Sequence, residues 1–215
     1  MAEPIKVDIW SDVACPWCYI GKRRFESAVA EFPGEVEVEY HSFELSPDMP
    51  EDFEGDHEEY LRSKGFPPEQ LGAMLERVTQ VAESVGLHYD YAANQPTNTL
   101  RAHELLHFAK AHGRQAEMKE RLMSAYFVRG EHVGRIDELV RMAEELGLDG
   151  AAAREALVSR RYAAAVEADI RQAAAYGIRG VPFFVIDGRY GVSGAQESAV
   201  LLGVLSDVAS GNVAS

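Results

Sequence analysis

Strand patterns stand at both ends of this chain, and about a hundred residues of helical pattern separate them. Near the start, apolar residues alternate with polar or aromatic ones across residues 5–10, which is the period of a β-strand. Helical spacing follows from Pro16 and stops at the Pro-Gly pair 33–34, and valines then alternate with glutamates within residues 35–43. The chain is therefore predicted to open as strand, helix, strand.

The last part of the chain returns to strands. Apolar runs lie on both sides of Asp187–Gly188, a dipeptide that supplies the positive φ angles of a type I′ hairpin turn. Ser193 and Gln196 have the spacing of a capping box ahead of an apolar helical pattern, so we expect a closing helix to start there. This end of the chain is therefore predicted to run helix, strand, strand, helix.

The two ends together have the connectivity of a thioredoxin-type sheet, which predicts an α/β protein with a thioredoxin-like fold and a large all-helical insertion. We expect residues 1–50 and 150–215 to form the thioredoxin-like domain and residues 51–149 to form the insertion. Residues 47–60, rich in proline, aspartate and glutamate, should be a solvated link. The helices of the central part are predicted at about 71–85, 97–112, 115–129, 136–146 and, with a break, 150–176.

Composition and charge exclude several kinds of partner. The 215 residues are 47% hydrophobic, enough for a substantial core, and their net charge of -14 repels phosphate backbones and anionic lipids. We therefore expect neither nucleic acid nor a membrane as a partner, and the oligomeric state stays open. The N-terminus shows no basic segment followed by an apolar one, so we expect a cytoplasmic protein, in which a structural disulfide would be unusual.

Both cysteines of the chain, Cys15 and Cys18, lie two residues apart at the predicted start of the first helix. Unpaired N–H groups and the positive end of the helix dipole favour a thiolate there, so we expect Cys15 to be an ionised nucleophile at neutral pH. Cys18, one turn further on, is placed to resolve a mixed disulfide on Cys15. Pro16 suits the first helical turn, because its missing N–H would have had no partner in the helix.

Two patterns could bind zinc, and neither is complete. A structural zinc site needs four ligands, and neither a second Cys-x-x-Cys nor a histidine at the usual spacing accompanies the cysteine pair. His103 and His107 form an H-E-x-x-H pattern, but Lys110 stands where the extended motif of one peptidase class has glycine. We therefore predict no metal site and expect this helix to pack through ordinary contacts.

Pro182, in the segment GIRGVPFFVIDG, is a candidate partner of the cysteine pair. In a thioredoxin-type site a cis proline packs against the two sulfurs, and the backbone of the preceding residue is left to pair with an extended substrate. A proline at the start of a strand usually has a trans peptide bond, so the position of Pro182 alone does not predict a cis bond.

Three segments together resemble a known family. CPWCYIGKRRFE, NTLRAHELLHFA and GIRGVPFFVIDGRYGVSGAQ are similar to segments of the DsbA-like thioredoxin-fold oxidoreductases, specifically the FrnE-type branch. That branch is related to 2-hydroxychromene-2-carboxylate isomerase and kappa-class glutathione transferase. The resemblance extends over residues 5–208, nearly the whole chain.

The resemblance implies roles for individual residues. Cys15 would be the nucleophile, Cys18 the resolving thiol and Pro182 the cis proline. The isomerase and transferase relatives have serine at the position of Cys15, and a serine cannot cycle through a disulfide. Gly194 and Ala195 would lie near the cleft between insertion and sheet. The residues that we expect to contact substrate are Pro16, Trp17, Val181, Pro182, Asn98 and Gln196.

These observations predict a thiol–disulfide oxidoreductase that acts on a protein or a small molecule containing a thiol or disulfide. No bound cofactor is expected, and glutathione is a candidate redox partner. One alternative is a small-molecule isomerase or glutathione-dependent transferase on the same fold. Another is a binding module in which the cysteine pair has no redox role.

Overall fold

The structure, a computed structural model, describes residues 3–211, which form a four-stranded sheet and nine helices. The strands are β1 (Ile5–Ser11), β2 (Val36–Ser42), β3 (Phe183–Ile186) and β4 (Tyr190–Ser193). The helices are α1 (Pro16–Glu31), α2 (His57–Ser63), α3 (Pro68–Ser84), α4 (Leu100–Ala111), α5 (Gln115–Phe127), α6 (Ile136–Glu145), α7 (Gly150–Val158), α8 (Ala163–Ala175) and α9 (Ser198–Ser210). Within the described range, no helix is both long and apolar enough to cross a bilayer.

The sheet has the strand order β2-β1-β3-β4. β1 pairs in parallel with β2 and antiparallel with β3, and β3 and β4 form a hairpin. Asp187 and Gly188 at the hairpin turn have φ angles of 51° and 66°, as the predicted type I′ turn requires. The predicted α/β class and thioredoxin-like fold with a helical insertion are confirmed.

The side chains of β1 pack alternately into two different hydrophobic clusters, one on each face of the sheet. Ile5, Val7 and Ile9 face a cluster that includes Phe25 of α1 and Leu201 of α9. The side chain of Trp10 points to the other side of the sheet, where it packs with Ala173 of α8 and Val185 of β3. Successive side chains of a strand alternate between faces, so the observed packing follows from the sequence pattern.

A third core cluster joins the helical part of the chain to the start of α1. It contains buried side chains of α3 to α7 together with Cys15, Cys18, Tyr19 and Ile20. α7 packs against α6 and α4, and α8 packs against β2 and α4. The helices that the sequence placed between residues 51 and 149 therefore form one side of the environment around the cysteines.

Two local predictions are wrong. Helix α2 (57–63) begins within the predicted solvated link 47–60 and runs past its end, because Asp56 and Glu59 make a complete capping box at the start of the helix. The capping box predicted from Ser193 to Gln196 is not formed. β4 runs to Ser193, whose carbonyl accepts a 2.8 Å hydrogen bond from the Gln196 side chain, and α9 starts at Ser198.

Gly21 allows α1 to approach the loop before β3 closely. A Cβ atom at this position would lie 2.9 Å from Cγ of Pro182 and 3.4 Å from Cβ of Ala195. Gly72, in α3, is a matched case, because it is helical and exposed and a Cβ there would meet nothing within 4 Å.

We expect Gly72→Ala to raise the free energy of unfolding by up to about 1 kcal/mol, because alanine favours the helix. Gly21→Ala should gain nothing and lose about 1–3 kcal/mol, because the new methyl group overpacks against a rigid proline ring. Urea unfolding of both variants measures the difference. Equal stabilisation by the two substitutions would contradict the close contact at Gly21.

Candidate active site

The chain carries both cysteines directly from the end of β1 into the first turn of α1. Cys15 is the N-cap residue of α1, with an extended backbone, and Pro16 is the first helical residue. The backbone N–H of Cys18 donates to the Cys15 carbonyl at 3.1 Å, which closes the first turn. Both residues are free thiols and are nearly inaccessible, with 3% and 2% of their surfaces exposed.

The segment before β3 lies against this turn. The peptide bond between Val181 and Pro182 is cis, and the Cys15 thiol donates to the carbonyl oxygen of Val181 across 3.6 Å. The backbone N–H of Gly194 donates to the Pro182 carbonyl at 2.8 Å and so ties this segment to β4. The structure therefore brings together Cys15, Cys18, Pro16, Val181 and Pro182.

The other three predicted contact residues lie further out. Trp17 is partly exposed, with 37% of its surface accessible. The Asn98 amide donates to the Pro47 carbonyl at 3.0 Å and accepts from the backbone of Leu100 at 2.8 Å, so it fastens a loop to the start of α4. The Gln196 amide is engaged with its own loop, as described above.

The structure corrects the expectation that Cys15 is ionised at neutral pH. The hydrogen bond with the Cys18 thiol and the burial of the sulfur raise the pKa of Cys15 well above its usual range, and the charge of Asp12 acts in the same direction. A hydrogen bond from the Cys18 backbone N–H lowers the pKa of Cys15, but the raising effects are larger. The contact with the Val181 carbonyl also fits a protonated thiol, since a carbonyl oxygen accepts a hydrogen bond and cannot donate one.

Asp12 is a buried carboxylate between β1 and the cysteines. Its Oδ2 accepts from the Leu45 backbone at 2.8 Å, and its Oδ1 lies 3.4 Å from Nε2 of His103. Burial raises the pKa of Asp12, but the nearby His103 ring and the hydrogen bond from the Leu45 backbone outweigh it and hold that pKa below its usual range. Burial lowers the pKa of His103, although Asp12 acts in the opposite direction.

Three tyrosines from the helical part of the chain surround the cysteine pair, and sequence reasoning missed them. The hydroxyl of Tyr89 donates to the Pro16 carbonyl at 2.7 Å. Tyr91 stacks on His57 of α2 with 4.8 Å between ring centroids, and its buried hydroxyl has no hydrogen-bond partner among the described residues. Tyr60 of α2 is hydrogen-bonded to Ser46. The short aromatic segment 88–91 was the available signal, but its spacing predicts no particular chemistry.

The H-E-x-x-H side chains point to different partners. His103 approaches Asp12, His107 Nε2 lies 3.0 Å from a carboxylate oxygen of Asp169, and Glu104 accepts from Arg160 at 2.6 Å. The two histidines therefore do not converge on one point, as a zinc site requires. These contacts match the expected packing role of α4.

A second cluster of titratable groups lies on the sheet away from the cysteines. Asp8, Glu39 and His41 hold their side-chain oxygen and nitrogen atoms within 4.8 Å of one another. Both ring nitrogens of His41 are engaged, one with Asp8 and one with Asp169, each at 2.9 Å. This cluster therefore ties β1 and β2 to α8.

The family model described as a DSBA-like thioredoxin domain matches residues 6–206. This chain belongs to that family. The family expected from the sequence is thereby confirmed, and its members are oxidoreductases and isomerases, which supports an enzyme.

Solved structures agree with the family at different levels of identity. The chain is 39% identical to the probable DsbA oxidoreductase SCO1869 from Streptomyces coelicolor, with a TM-score of 0.89 over 98% of this chain and 92% of that one. At 16% identity it shares the fold of a 2-hydroxychromene-2-carboxylate isomerase, with a TM-score of 0.71 over 96% and 97% of the two chains. At 21% identity it shares the fold of the cytosolic disulfide reductase DsbM from Pseudomonas aeruginosa, solved with GSH, with a TM-score of 0.64 over 95% and 96%.

We expect alkylation of Cys15 by iodoacetamide to have a pH midpoint above about 8.5, the ordinary value for a cysteine. Cys18→Ala should lower this midpoint, because it removes the largest contribution that disfavours the Cys15 thiolate. Peptide mapping after timed alkylation from pH 6 to 10 measures both. A midpoint below about 7 in the unsubstituted protein would show that the helix terminus affects the pKa of Cys15 more than burial does, and would contradict this account.

Proposed function

We propose that this protein is a thiol–disulfide oxidoreductase whose redox pair is Cys15 and Cys18. The observation that carries the proposal is the placement of two free thiols in the first turn of α1, against the Val181 carbonyl. The description of SCO1869 as a probable DsbA oxidoreductase, at 39% identity over nearly the whole chain, supports it further.

The reaction begins when the Cys15 thiolate attacks one sulfur of a substrate disulfide. The substrate S–S bond breaks, one substrate sulfur leaves as a thiolate, and the other remains bonded to Cys15. The Cys18 sulfur then attacks the Cys15 sulfur, which releases the second substrate thiolate and forms a Cys15–Cys18 disulfide. Two electrons pass to the substrate, and the reverse sequence oxidises a dithiol.

Substrate entry requires a change in the closed site. Cys15 is 3% exposed and packs with Tyr89, Tyr91 and Val181 in the same core cluster. Because its thiol is hydrogen-bonded and buried, Cys15 must lose its proton when substrate approaches, since only the thiolate is nucleophilic. An extended substrate that pairs with the backbone at Val181 would displace the thiol from that carbonyl, which favours this ionisation.

Residues 1–50 and 150–215 would form the thioredoxin-like domain, of which residues 1–2 and 212–215 lie outside the described range. The insertion 51–149 would supply Tyr60, Tyr89 and Tyr91 around the cysteine pair. Pro16, Trp17 and Pro182 would line the path of the substrate. Asn98 and Gln196 would contact it only after giving up the hydrogen bonds that they now make.

Glutathione is proposed as the redox partner, and the cytoplasm as the location. The structure of DsbM with GSH, and its description as cytosolic, support both at the level of a shared fold. The substrate would be a thiol or disulfide on a protein or a small molecule. The charge of -14 argues against nucleic acid or anionic membranes as partners.

A second function is favoured by one specific observation. Tyr60, Tyr89 and Tyr91 place aromatic rings and hydroxyl groups around Cys15, which would suit a small aromatic substrate. The fold shared with a 2-hydroxychromene-2-carboxylate isomerase supports the same alternative. Cys15 stands where the resemblance places serine in those relatives, so redox chemistry remains the first proposal.

We expect Cys15→Ser to lower the reduction of insulin disulfides and of oxidised glutathione to the background rate, because a serine oxygen forms no mixed disulfide. Cys18→Ser should instead accumulate substrate bonded to Cys15, visible by mass spectrometry as an adduct that dithiothreitol removes. Each variant is the control for the other, since both replace one sulfur in the same helical turn. Full reductase activity in Cys15→Ser would refute the proposal, and isomerisation of an aromatic substrate by the double serine variant would favour the alternative.

A further inference from the structure

Pro16 and Trp17 form the two-residue bridge between the cysteines, and a single side chain anchors this bridge. Pro16 has no backbone N–H to donate, and the Trp17 side chain is partly exposed. The Tyr89 hydroxyl donates to the Pro16 carbonyl at 2.7 Å, a well-formed O–H···O distance. Within residues 3–211 this is the one side-chain hydrogen bond to either residue of the bridge. The bridge is therefore tied to a side chain 73 residues further along the chain.

The helical part of the chain holds the ring of Tyr89 in place. The ring stacks on Phe127, the last residue of α5, with 4.7 Å between ring centroids, and it meets Tyr91 edge-on at 5.8 Å. The backbone N–H of the next residue, Asp90, donates to the Phe127 carbonyl at 2.8 Å. Because both the ring and the neighbouring backbone are fixed, the Tyr89 hydroxyl is a rigid anchor for the bridge.

The other two tyrosines near the cysteines do not anchor the bridge. The Tyr60 hydroxyl is hydrogen-bonded to Ser46, and the buried Tyr91 hydroxyl has no hydrogen-bond partner among the described residues. Of the three tyrosines, Tyr89 therefore makes the contact that can act on the cysteine turn.

The free energy of the hydrogen bond from Tyr89 depends on how freely the bridge moves. In the structure both cysteines are free thiols, so no covalent bond closes the turn, and ordering the bridge against Tyr89 costs conformational entropy. A Cys15–Cys18 bond would close the turn and remove that freedom in advance. The same hydrogen bond then costs less entropy, so it stabilises the disulfide form more than the dithiol form.

We propose that Tyr89 is a positioning residue that favours the Cys15–Cys18 disulfide by anchoring the bridge between the two cysteines, an inference that rests on the proposed redox function. Tyr89 exchanges neither electrons nor protons, and all bonds that form and break join sulfur atoms. With the bridge anchored, Cys18 stays within reach of Cys15 while a substrate is bonded to Cys15, which speeds the resolving step. Loss of the hydroxyl should therefore weaken the disulfide and slow its formation.

The test compares Tyr89→Phe with the unsubstituted full chain in glutathione buffers at pH 7. Loss of a hydrogen bond to a neutral carbonyl should lower the equilibrium constant for oxidation by glutathione about threefold, measured by alkylation and intact mass spectrometry. With 5,5′-dithiobis(2-nitrobenzoate), attack by Cys15 releases a first coloured thiolate and resolution by Cys18 releases a second. The first release should keep its rate, and the second should slow about threefold.

Tyr19→Phe is the matched control. The Tyr19 hydroxyl also joins α1 to the helical part of the chain, since it donates to the Glu120 carboxylate at 2.6 Å, but within the described residues it makes no hydrogen bond to the bridge. Lys22 and Arg23 also contact Glu120, so α1 stays attached to α5 in this variant. Tyr19→Phe should leave the glutathione equilibrium and both releases unchanged, and a shift equal to that of Tyr89→Phe would overturn the inference.

A stability measurement distinguishes anchoring of the disulfide from a general contribution to the fold. Because a coupling free energy is reciprocal, Tyr89→Phe should destabilise the disulfide form more than the dithiol form, by the same factor that lowers the glutathione equilibrium constant. Urea unfolding of both redox forms measures this difference. Equal destabilisation of the two forms would overturn the role of Tyr89 alone. Failure of the unsubstituted protein to form a disulfide would overturn the proposed redox function, and this inference with it.

A measurement on the unsubstituted protein tests the same inference if Tyr89→Phe fails to fold. In a chain whose tyrosines carry ¹³C at Cζ, the NMR signal of each ring reports whether its hydroxyl holds hydrogen or deuterium. Exchange of the Tyr89 hydroxyl requires its bond to Pro16 to open. We therefore expect slower exchange in the disulfide form than in the dithiol form, and equal rates in the two forms would overturn the inference.

Discussion

The pairing of β1 with two different neighbours is the constraint on which the rest of the structure depends. β1 runs parallel to β2 and antiparallel to β3, so the end of β1 lies beside the start of β3. That register brings the Cys15 sulfur to the Val181 carbonyl across a sequence separation of 166 residues. The helical part of the chain must therefore fold so that β3 returns to this place, and it covers the cysteines as it does so.

Burial shifts the pKa values of different groups around the site in opposite directions. It keeps Cys15 in its thiol form, although the residue caps a helix whose N–H groups favour a thiolate. It also lowers the pKa of Lys119, a fully buried lysine of α5, to about 8. Burial therefore disfavours the charged form of both groups.

Local patterns allowed much of this arrangement to be predicted from sequence. The alternation in β1, the Asp187–Gly188 turn and the Cys-x-x-Cys at a helix start are all signals contained within a few residues. The family resemblance added Pro182, whose peptide bond is cis in the structure. The first three features are set by neighbours in the chain, which is why sequence reasoning could reach them without the resemblance.

Features that depend on distant residues could not be predicted in this way. The ionisation of Cys15 depends on burial by the helical part of the chain and on the conformation of Cys18, so the helix-terminus argument gave the wrong direction. The sequence around Gly21 carries no signal of its close contact, because the Pro182 ring that a side chain there would meet is distant in the chain. The predicted capping box at Gln196 failed because pairing in the β-hairpin extends to Ser193.

The central claim is that the two cysteines work as one two-electron redox pair. Equilibrating the protein across a series of reduced-to-oxidised glutathione ratios, followed by acid quenching, alkylation and intact mass spectrometry, tests it most directly. The account predicts one transition, from a form with two alkylated thiols to a form with none and with no glutathione attached. Two alkylated thiols at every ratio, or a stable adduct of one glutathione with one thiol still free, would contradict it.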